Sequence, residues 1–155
     1  MAAALDRLGG LLGVREFPAT AAGYASCYRT WLAALRGDAP TAQAILAGLD
    51  DLRATEDPQD QALVAAVEAF TAAARAQPAT ALRCVQSVLG HVGARDISHE
   101  SVRWAWPLAA RTACHLADTA TATDLLALLD GYQPGQLAPM QRAERDLARA
   151  PPHHR

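Results

Sequence analysis

The chain has 155 residues, of which 51% are apolar and 19% are charged, and its formal net charge is −2 at pH 7. This length suits one ordinary domain with a buried core, and the composition excludes a wholly disordered chain, a membrane-spanning helix and a collagen-like repeat. Alanine occupies 37 positions and leucine 20, whereas isoleucine and valine together occupy nine. The apolar residues are therefore mainly helix formers, and they predict an all-helical fold.

Charge and cysteine content limit the kinds of partner and the cellular compartment that we expect for this protein. The 14 basic residues are all arginine and are interspersed with acidic residues, so they create no sustained positive field. We therefore expect neither nucleic-acid nor membrane binding. Cys27, Cys84 and Cys114 lie far apart within helical patterns, which predicts reduced, buried thiols. Residues 1–14 lack the features of a secretory leader, and we expect a cytoplasmic protein.

The first predicted hairpin covers about residues 20–54. From Tyr24 onwards, apolar residues recur every three or four positions, which places them on one side of a helix that ends at Gly37. Pro40 suits the first turn of a second helix, because a proline there gives up no hydrogen bond. We predict that this second helix continues as far as Leu52.

Two further hairpins and a last helix follow. Asp57 and Pro58 have the order of an N-cap and a first helical residue, and Ser98 is a second candidate N-cap. Pro107 falls within a predicted helix and implies either a kink near Arg103 or a helix that restarts there. The predicted ranges are 58–93 for the second hairpin, 98–131 for the third, 139–150 for the last helix, 1–19 for an N-terminal segment that is a short helix or flexible, and 151–155 for a flexible tail.

Similar residues recur at a nearly constant distance along the chain. Trp31 and Phe70 are 39 residues apart, and Leu46, Val85 and Leu126 follow one another at steps of 39 and 41. A single helical hairpin cannot bury both of its faces, whereas stacked hairpins bury a continuous core. The spacing therefore predicts an array of hairpins.

The third hairpin has a tryptophan and small residues in its first helix, an alanine and a leucine in its second helix, and a closing proline. These residues are Trp106, Ala109, Ala110, Ala113, Ala122, Leu126 and Pro134. In their spacing they resemble a tetratricopeptide repeat, although Ala113 and Leu126 replace its aromatic residues. The resemblance implies antiparallel helical hairpins stacked as a short right-handed α-solenoid, in which Ala110 and Ala122 let paired helices approach closely.

The closing stretch, residues 125–150, is similar to the C-terminal helical arrays of large actinobacterial signalling and regulatory proteins. In those proteins an ATPase or a nucleotide cyclase precedes the array. No P-loop and no cyclase-like domain fits within 155 residues of this kind. The resemblance therefore implies a regulatory array, or a fragment of a larger signalling protein.

The first helices of the hairpins are predicted to line a concave surface that holds a partner. Trp104 and Trp106 point about 200° apart on a helix, so we expect Trp106 in the core and Trp104 at another surface. Trp104 has two interpretations: an anchor for a partner peptide, or packing between hairpins. The candidate partner-binding residues are Tyr28, Thr71, Trp104, Leu108 and Arg111.

No catalytic, cofactor-binding or metal-binding residue is assigned, and we expect no cofactor. The His and Cys residues lack the spacing of a metal site, and no cysteine follows an activating turn. Our leading hypothesis is a non-catalytic protein-interaction module. One alternative is a helical small-molecule sensor or a small helical enzyme with a pocket near Trp31 and Trp104. The other is a self-association module that forms homo-oligomers through its exposed hairpin ends.

Overall fold

The computed structural model describes residues 19–90 and 97–150, and every regular element within these ranges is helical. The predicted all-helical fold is confirmed for this part of the chain. The predictions for residues 1–18 and 151–155, and for the end of the second hairpin at 91–93, lie outside the described residues. The helices are α1 (Ala19–Leu35), α2 (Ala39–Leu46), α3 (Asp50–Arg53), α4 (Pro58–Ala74), α5 (Pro78–Leu89), α6 (Glu100–His115), α7 (Thr119–Asp130) and α8 (Pro139–Arg149), with a 3-10 turn at Pro134–Gln136.

Three pairs of these helices are joined by short turns, and the members of each pair pack against each other. The pairs are α1 with α2, α4 with α5, and α6 with α7. Each pair also packs against the next, because α4 contacts α1 and α2, and α6 contacts α4 and α5. The last helix, α8, packs against α6 and α7. The main contacts between helices therefore follow the order of the chain.

The turns within the three pairs have the same backbone conformation. Each contains one residue with a positive φ, namely Gly37 at 75°, Ala76 at 55° and Ala117 at 54°. In each turn the residue after the positive-φ residue donates a hydrogen bond from its backbone amide to the carbonyl five positions earlier, as in a Schellman motif. These bonds join Asp38 to Ala33 at 3.0 Å, Gln77 to Ala72 at 2.9 Å, and Asp118 to Ala113 at 2.9 Å.

The common turn reflects a common stretch of sequence. Residues 33–42, 72–81 and 113–122 all have an alanine at the first position, Gly or Ala at the fifth, Asp or Gln at the sixth, and Thr-Ala at the end. The sixth residue is the N-cap of the next helix, and the side chains of Asp38 and Asp118 each accept a hydrogen bond from a backbone amide of that helix. The turns lie 39 and 41 residues apart, the same steps that recur among the apolar residues.

The positive φ values predict opposite effects of exchanging glycine and alanine at two of these turns. Because a Cβ atom is strained in the left-handed region, Ala76→Gly should raise the free energy of unfolding by about 0.5–1 kcal/mol, and Gly37→Ala should lower it by a similar amount. A Cβ at Gly37 would have no heavy atom within 4 Å, so only backbone strain acts there. Urea unfolding of both variants tests this, and changes of the same sign would contradict it.

The second helix of the first hairpin is broken, contrary to the prediction of one helix to Leu52. The chain leaves α2 after Leu46 and re-forms a single turn as α3, because the amide of Gly48 bonds three positions back and tightens the backbone. Leu52 on α3 is buried against α1. A Cβ at Gly23 would lie 2.7 Å from Leu52 Cδ1, so glycine permits this approach.

The third hairpin contains the largest fully buried side chain in the described residues. Trp106 is 0% exposed, as predicted, and its Nε1 donates a hydrogen bond of 2.8 Å to the carbonyl of Leu125 on α7. Pro107 lies within α6, which continues through it from Glu100 to His115. The prediction of a helix that restarts near Arg103 is therefore wrong, since the proline is buried and its packing offsets the lost backbone bond.

Two tyrosines join α1 to later helices and predict a loss of stability at alkaline pH. Tyr24 donates a hydrogen bond of 2.5 Å to Asp60 Oδ1 on α4, and Tyr28 donates one of 2.7 Å to Glu100 Oε2 on α6. These bonds raise the pKa of each phenol from 10.0 to about 12. Because the pKa is higher in the folded state, the stabilisation is complete below pH 10 and is lost as pH rises towards 12.

Tyr24→Phe combined with Tyr28→Phe should therefore make stability less dependent on pH in this window. Urea unfolding of the wild type and the double variant at several pH values between 10 and 12 measures the difference. Equal slopes for the two proteins would contradict the assignment.

Candidate functional site

The candidate surface on the first helices is filled by an aromatic cluster, here defined as Tyr28, Trp31, Phe70 and Trp104. The indole rings of Trp31 and Trp104 stack with centroids 4.3 Å apart and an interplanar angle of 6°. Tyr28 meets Trp104 edge to face at 5.3 Å, and Phe70 meets Trp31 in the same way at 6.1 Å. The cluster brings α1 and α6 into contact across α4, so the first and third hairpins touch.

Of the two interpretations of Trp104, the structure therefore supports packing between hairpins. The space between the rings of Trp31 and Trp104 is occupied by the stack itself, so it holds no ligand pocket. Both indoles are only half-buried, and Tyr28 is also half-buried beside them.

Two of the predicted partner-binding residues lie inside the molecule, and their assignment to a binding surface is wrong. Thr71 is 2% exposed, and its hydroxyl donates a hydrogen bond of 2.8 Å to the carbonyl of Val67 one turn earlier. Leu108 is 8% exposed and belongs to the core. Both side chains are covered because neighbouring hairpins pack against these faces of α4 and α6.

Arg111 remains on the surface and lies at the edge of an apolar groove between α6, α7 and α8. Its Nη1 atom is 3.2 Å from Glu144 Oε1 on α8, and the arginine side chain is 58% exposed. The groove has a volume of about 480 Å³. We call it the C-terminal groove; its lining residues include Ala110, Arg111, Ala113, Cys114, Ala117, Asp118, Thr119, Ala122, Glu144, Leu147 and Ala148.

The short length of α8 explains why this groove is open. The first helices of the three pairs, α1, α4 and α6, have 17, 17 and 16 residues, whereas α8 has 11. A helix rises about 1.5 Å per residue, so α8 stops about 9 Å short of the end that α4 reaches. Among the described residues, no helix therefore covers the end of the third hairpin that carries its turn, at residues 117–119.

Buried and charged contacts fix α8 in this position. Gln141 is 1% exposed; its Nε2 donates to the carbonyl of Ile97 at 2.9 Å, and its Oε1 accepts from the amide of Ala138 at 3.0 Å. Arg149 pairs with Asp130 at the end of α7. Gln141 could not be identified from the sequence, because a glutamine near a helix start indicates a surface residue unless its partners are known.

One side of α8 faces away from the rest of the molecule. Met140 is 65% exposed and Leu147 is 66% exposed, and Ala143 between them is also exposed. These residues follow one another at steps of three and four, so they share one face of the helix. This face borders the C-terminal groove through Leu147.

The tetratricopeptide positions have mixed environments. Trp106, Ala110 and Ala113 are buried, whereas Ala122 and Leu126 are half-buried. In α7 the buried leucines are Leu125 and Leu129, one turn apart. Pro134 begins the 3-10 turn after α7.

A second groove lies between α1 and α2 at the other end of the molecule. It has a volume of about 460 Å³. We call it the N-terminal groove; its lining residues are Arg29, Leu32, Ala33, Arg36, Asp38, Thr41 and Ile45.

The cysteines differ in exposure, and the prediction of buried thiols is wrong for one of them. Cys27 is fully buried, and burial raises the pKa of its thiol to about 11. Cys84 is half-buried, and burial raises its pKa as well. Cys114 is exposed, because it points into the open C-terminal groove.

Residues 19–90 and 97–150 contain neither a cluster of metal ligands nor a helix that could cross a membrane. These ranges contain no group of three or more His, Cys, Asp or Glu side chains that could hold a metal ion. None of their helices has both the length and the apolar character needed to cross a membrane.

Comparisons with protein-family models, with curated proteins and with solved structures give no match for this chain.

Proposed function

We propose that the chain is a non-catalytic protein-interaction module, a short right-handed α-solenoid of tetratricopeptide-like hairpins that binds an apolar segment of a protein partner in the C-terminal groove. The observation that carries the proposal is the open, alanine-lined surface of the third hairpin, at a position where the preceding hairpins are covered. Of the two grooves described above, this one is bordered by the exposed side chain of Leu147 on the short last helix.

The repeated turns show what normally covers such a surface. Counted from the left-handed residue of each turn, Ala42, Ala81 and Ala122 are equivalent. Ala42 and Ala81 are 0% exposed beneath the next hairpin, whereas Ala122 is half-buried and lines the groove. The alanine equivalent to Ala122 is thus covered by a helix in both the first and the second hairpin. A helical or extended segment that places a bulky apolar side chain over Ala122 would bury the same kind of surface.

Arg111 would add charge specificity at the edge of the groove. Its single contact with Glu144 is an exposed ion pair, and such pairs are worth about 0–1 kcal/mol. A partner carboxylate can therefore replace Glu144 at small cost. We expect a preferred segment to combine an apolar anchor with an acidic residue.

A pair of matched substitutions on α7 tests the proposal. Ala122→Phe fills the C-terminal groove, whereas Ala127→Phe adds the same side chain to an exposed position of the same helix outside it. Peptides selected from a random display library against the full chain should bind the Ala127→Phe variant like the wild type. Their affinity for the Ala122→Phe variant should fall at least about tenfold.

Substitution of the arginine provides a second readout. Arg111→Gln should weaken the selected acidic peptides but not neutral versions of the same sequences, because only the charge-assisted contact is lost. Selected peptides whose affinity is unchanged by Ala122→Phe would contradict the proposed site. A library that yields no binder of the chain would contradict the proposed function.

A further inference from the structure

The two open grooves are equivalent to surfaces that neighbouring hairpins bury against each other inside the molecule. Counted from the turns, Arg29, Leu32 and Ile45 of the N-terminal groove correspond to Ala109, Thr112 and Leu125 of the third hairpin. Those three residues are 0%, 7% and 6% exposed. Ala109 and Thr112 lie on α6, which packs against α4 and α5 of the hairpin before it. The part of this surface that belongs to the first helix is therefore open on the first hairpin and buried on the third.

The same comparison applies to the C-terminal groove. Its residues Cys114 and Ala122 correspond to Ala34 and Ala42 of the first hairpin, which are 8% and 0% exposed beneath α4. The surface that is open on the third hairpin is buried on the first, which has a hairpin after it. Ala33 and Asp38 of the N-terminal groove are equivalent to Ala113 and Asp118 of the C-terminal groove, so both grooves include residues next to the turn. They differ in their remaining residues, which lie on the side of the preceding hairpin in one groove and on the side of the following hairpin in the other.

The charges of the two grooves are also complementary. The N-terminal groove contains Arg29 and Arg36 with one aspartate, so its net charge is positive. The C-terminal groove contains Asp118 and Glu144 with one arginine, so its net charge is negative. Opposite net charges at two apolar surfaces favour association and set its direction, and Asp38 of the N-terminal groove would supply the acidic residue expected to meet Arg111.

We infer that the chain associates head to tail with further copies of itself, the first hairpin of one copy docking on the C-terminal groove of the next. This inference rests on the proposed function, for which it names the partner. Because the two contact surfaces differ, the interface is heterologous, and each added copy leaves one free surface of each kind. Association therefore produces linear assemblies of increasing length and does not stop at a dimer.

Mixing two variants tests both the association and its direction. Arg29→Glu combined with Arg36→Glu reverses the charge of two exposed residues that line the N-terminal groove, and Ala122→Phe fills the C-terminal groove. Ala127→Phe and Arg103→Glu are matched controls at exposed positions outside both grooves. Circular dichroism checks that each variant is folded. If Ala122→Phe does not fold, Cys114→Phe fills the same groove from an exposed position.

Sedimentation equilibrium should show that the average mass of the wild type and of both controls rises with concentration above the monomer mass of 16.4 kDa. We expect a weak association, with a dissociation constant of about 10–100 µM. Each groove variant alone should bind itself at least about tenfold more weakly. An equimolar mixture of the two should form a 1:1 dimer, because one intact surface of each kind remains.

Three results would overturn the inference. These are a wild type that stays monomeric throughout, groove variants that self-associate as the wild type does, and a mixture that stays monomeric. A monomeric wild type that still binds selected peptides in a manner sensitive to Ala122→Phe would leave the proposed function standing without self-association. Failure of both tests would remove the proposed function as well.

Discussion

Replacing Trp106 with alanine should lower the free energy of unfolding by about 3–5 kcal/mol, the largest effect expected of any substitution in this chain. The indole is 0% exposed and lies in the core of the third hairpin, so its removal leaves a cavity between α6 and α7. Its hydrogen bond to the carbonyl of Leu125 is lost as well. Chemical denaturation followed by far-ultraviolet circular dichroism measures the change.

Trp106→Phe separates the volume of the side chain from its hydrogen bond. Phenylalanine fills much of the same space but leaves the buried carbonyl of Leu125 without its donor, so we expect a loss of about 1–3 kcal/mol. A loss below about 1 kcal/mol for Trp106→Ala would show that this residue is not the centre of the core.

Replacing Trp104 with alanine should have the second-largest effect, a loss of about 2–4 kcal/mol. The loss is smaller than for Trp106, because Trp104 is only half-buried. Its indole stacks on Trp31 and contacts Tyr28, both on α1, and these contacts join the first hairpin to the third. Amide hydrogen exchange in α1 should therefore become faster in this variant.

A double-mutant cycle with Trp31→Ala tests whether the stack itself is stabilising. Aromatic pairs contribute about 0.5–1.5 kcal/mol beyond the area they bury, so the effects of Trp31→Ala and Trp104→Ala should be non-additive by about that amount. Purely additive losses would mean that the two rings do not interact in solution.

The helical hairpins could be predicted from the sequence because their boundaries have local causes. Apolar spacing of three and four residues, and prolines at helix starts, place α1, α4 and α6 within a few residues of their observed ends. The break between α2 and α3 was missed, because a single Gly48 does not reveal whether a helix tolerates it or ends at it. The shared motif of residues 33–42, 72–81 and 113–122 was present in the sequence and would have located all three turns.

The candidate site was harder to predict because it depends on contacts between distant helices. Periodicity shows that Trp104 and Trp106 point in different directions, but not that Trp104 meets Trp31, which is 73 residues earlier. Thr71 and Leu108 were assigned to a surface because the curvature that brings α1 and α6 together cannot be read from the sequence. The C-terminal groove results from the length of α8 compared with α6, and only Arg111 and the alanines of the third hairpin indicated it.

The reactivity of Cys114 tests the central claim most directly, because this thiol lies in the C-terminal groove. In the dilute chain, a maleimide reagent followed by mass spectrometry should label Cys114 first and the buried Cys27 only after unfolding. Adding a selected peptide, or raising the protein concentration, should slow labelling of Cys114 at least about tenfold. The account would be contradicted if Cys114 in the free chain reacts as slowly as Cys27, or if no binding partner protects it.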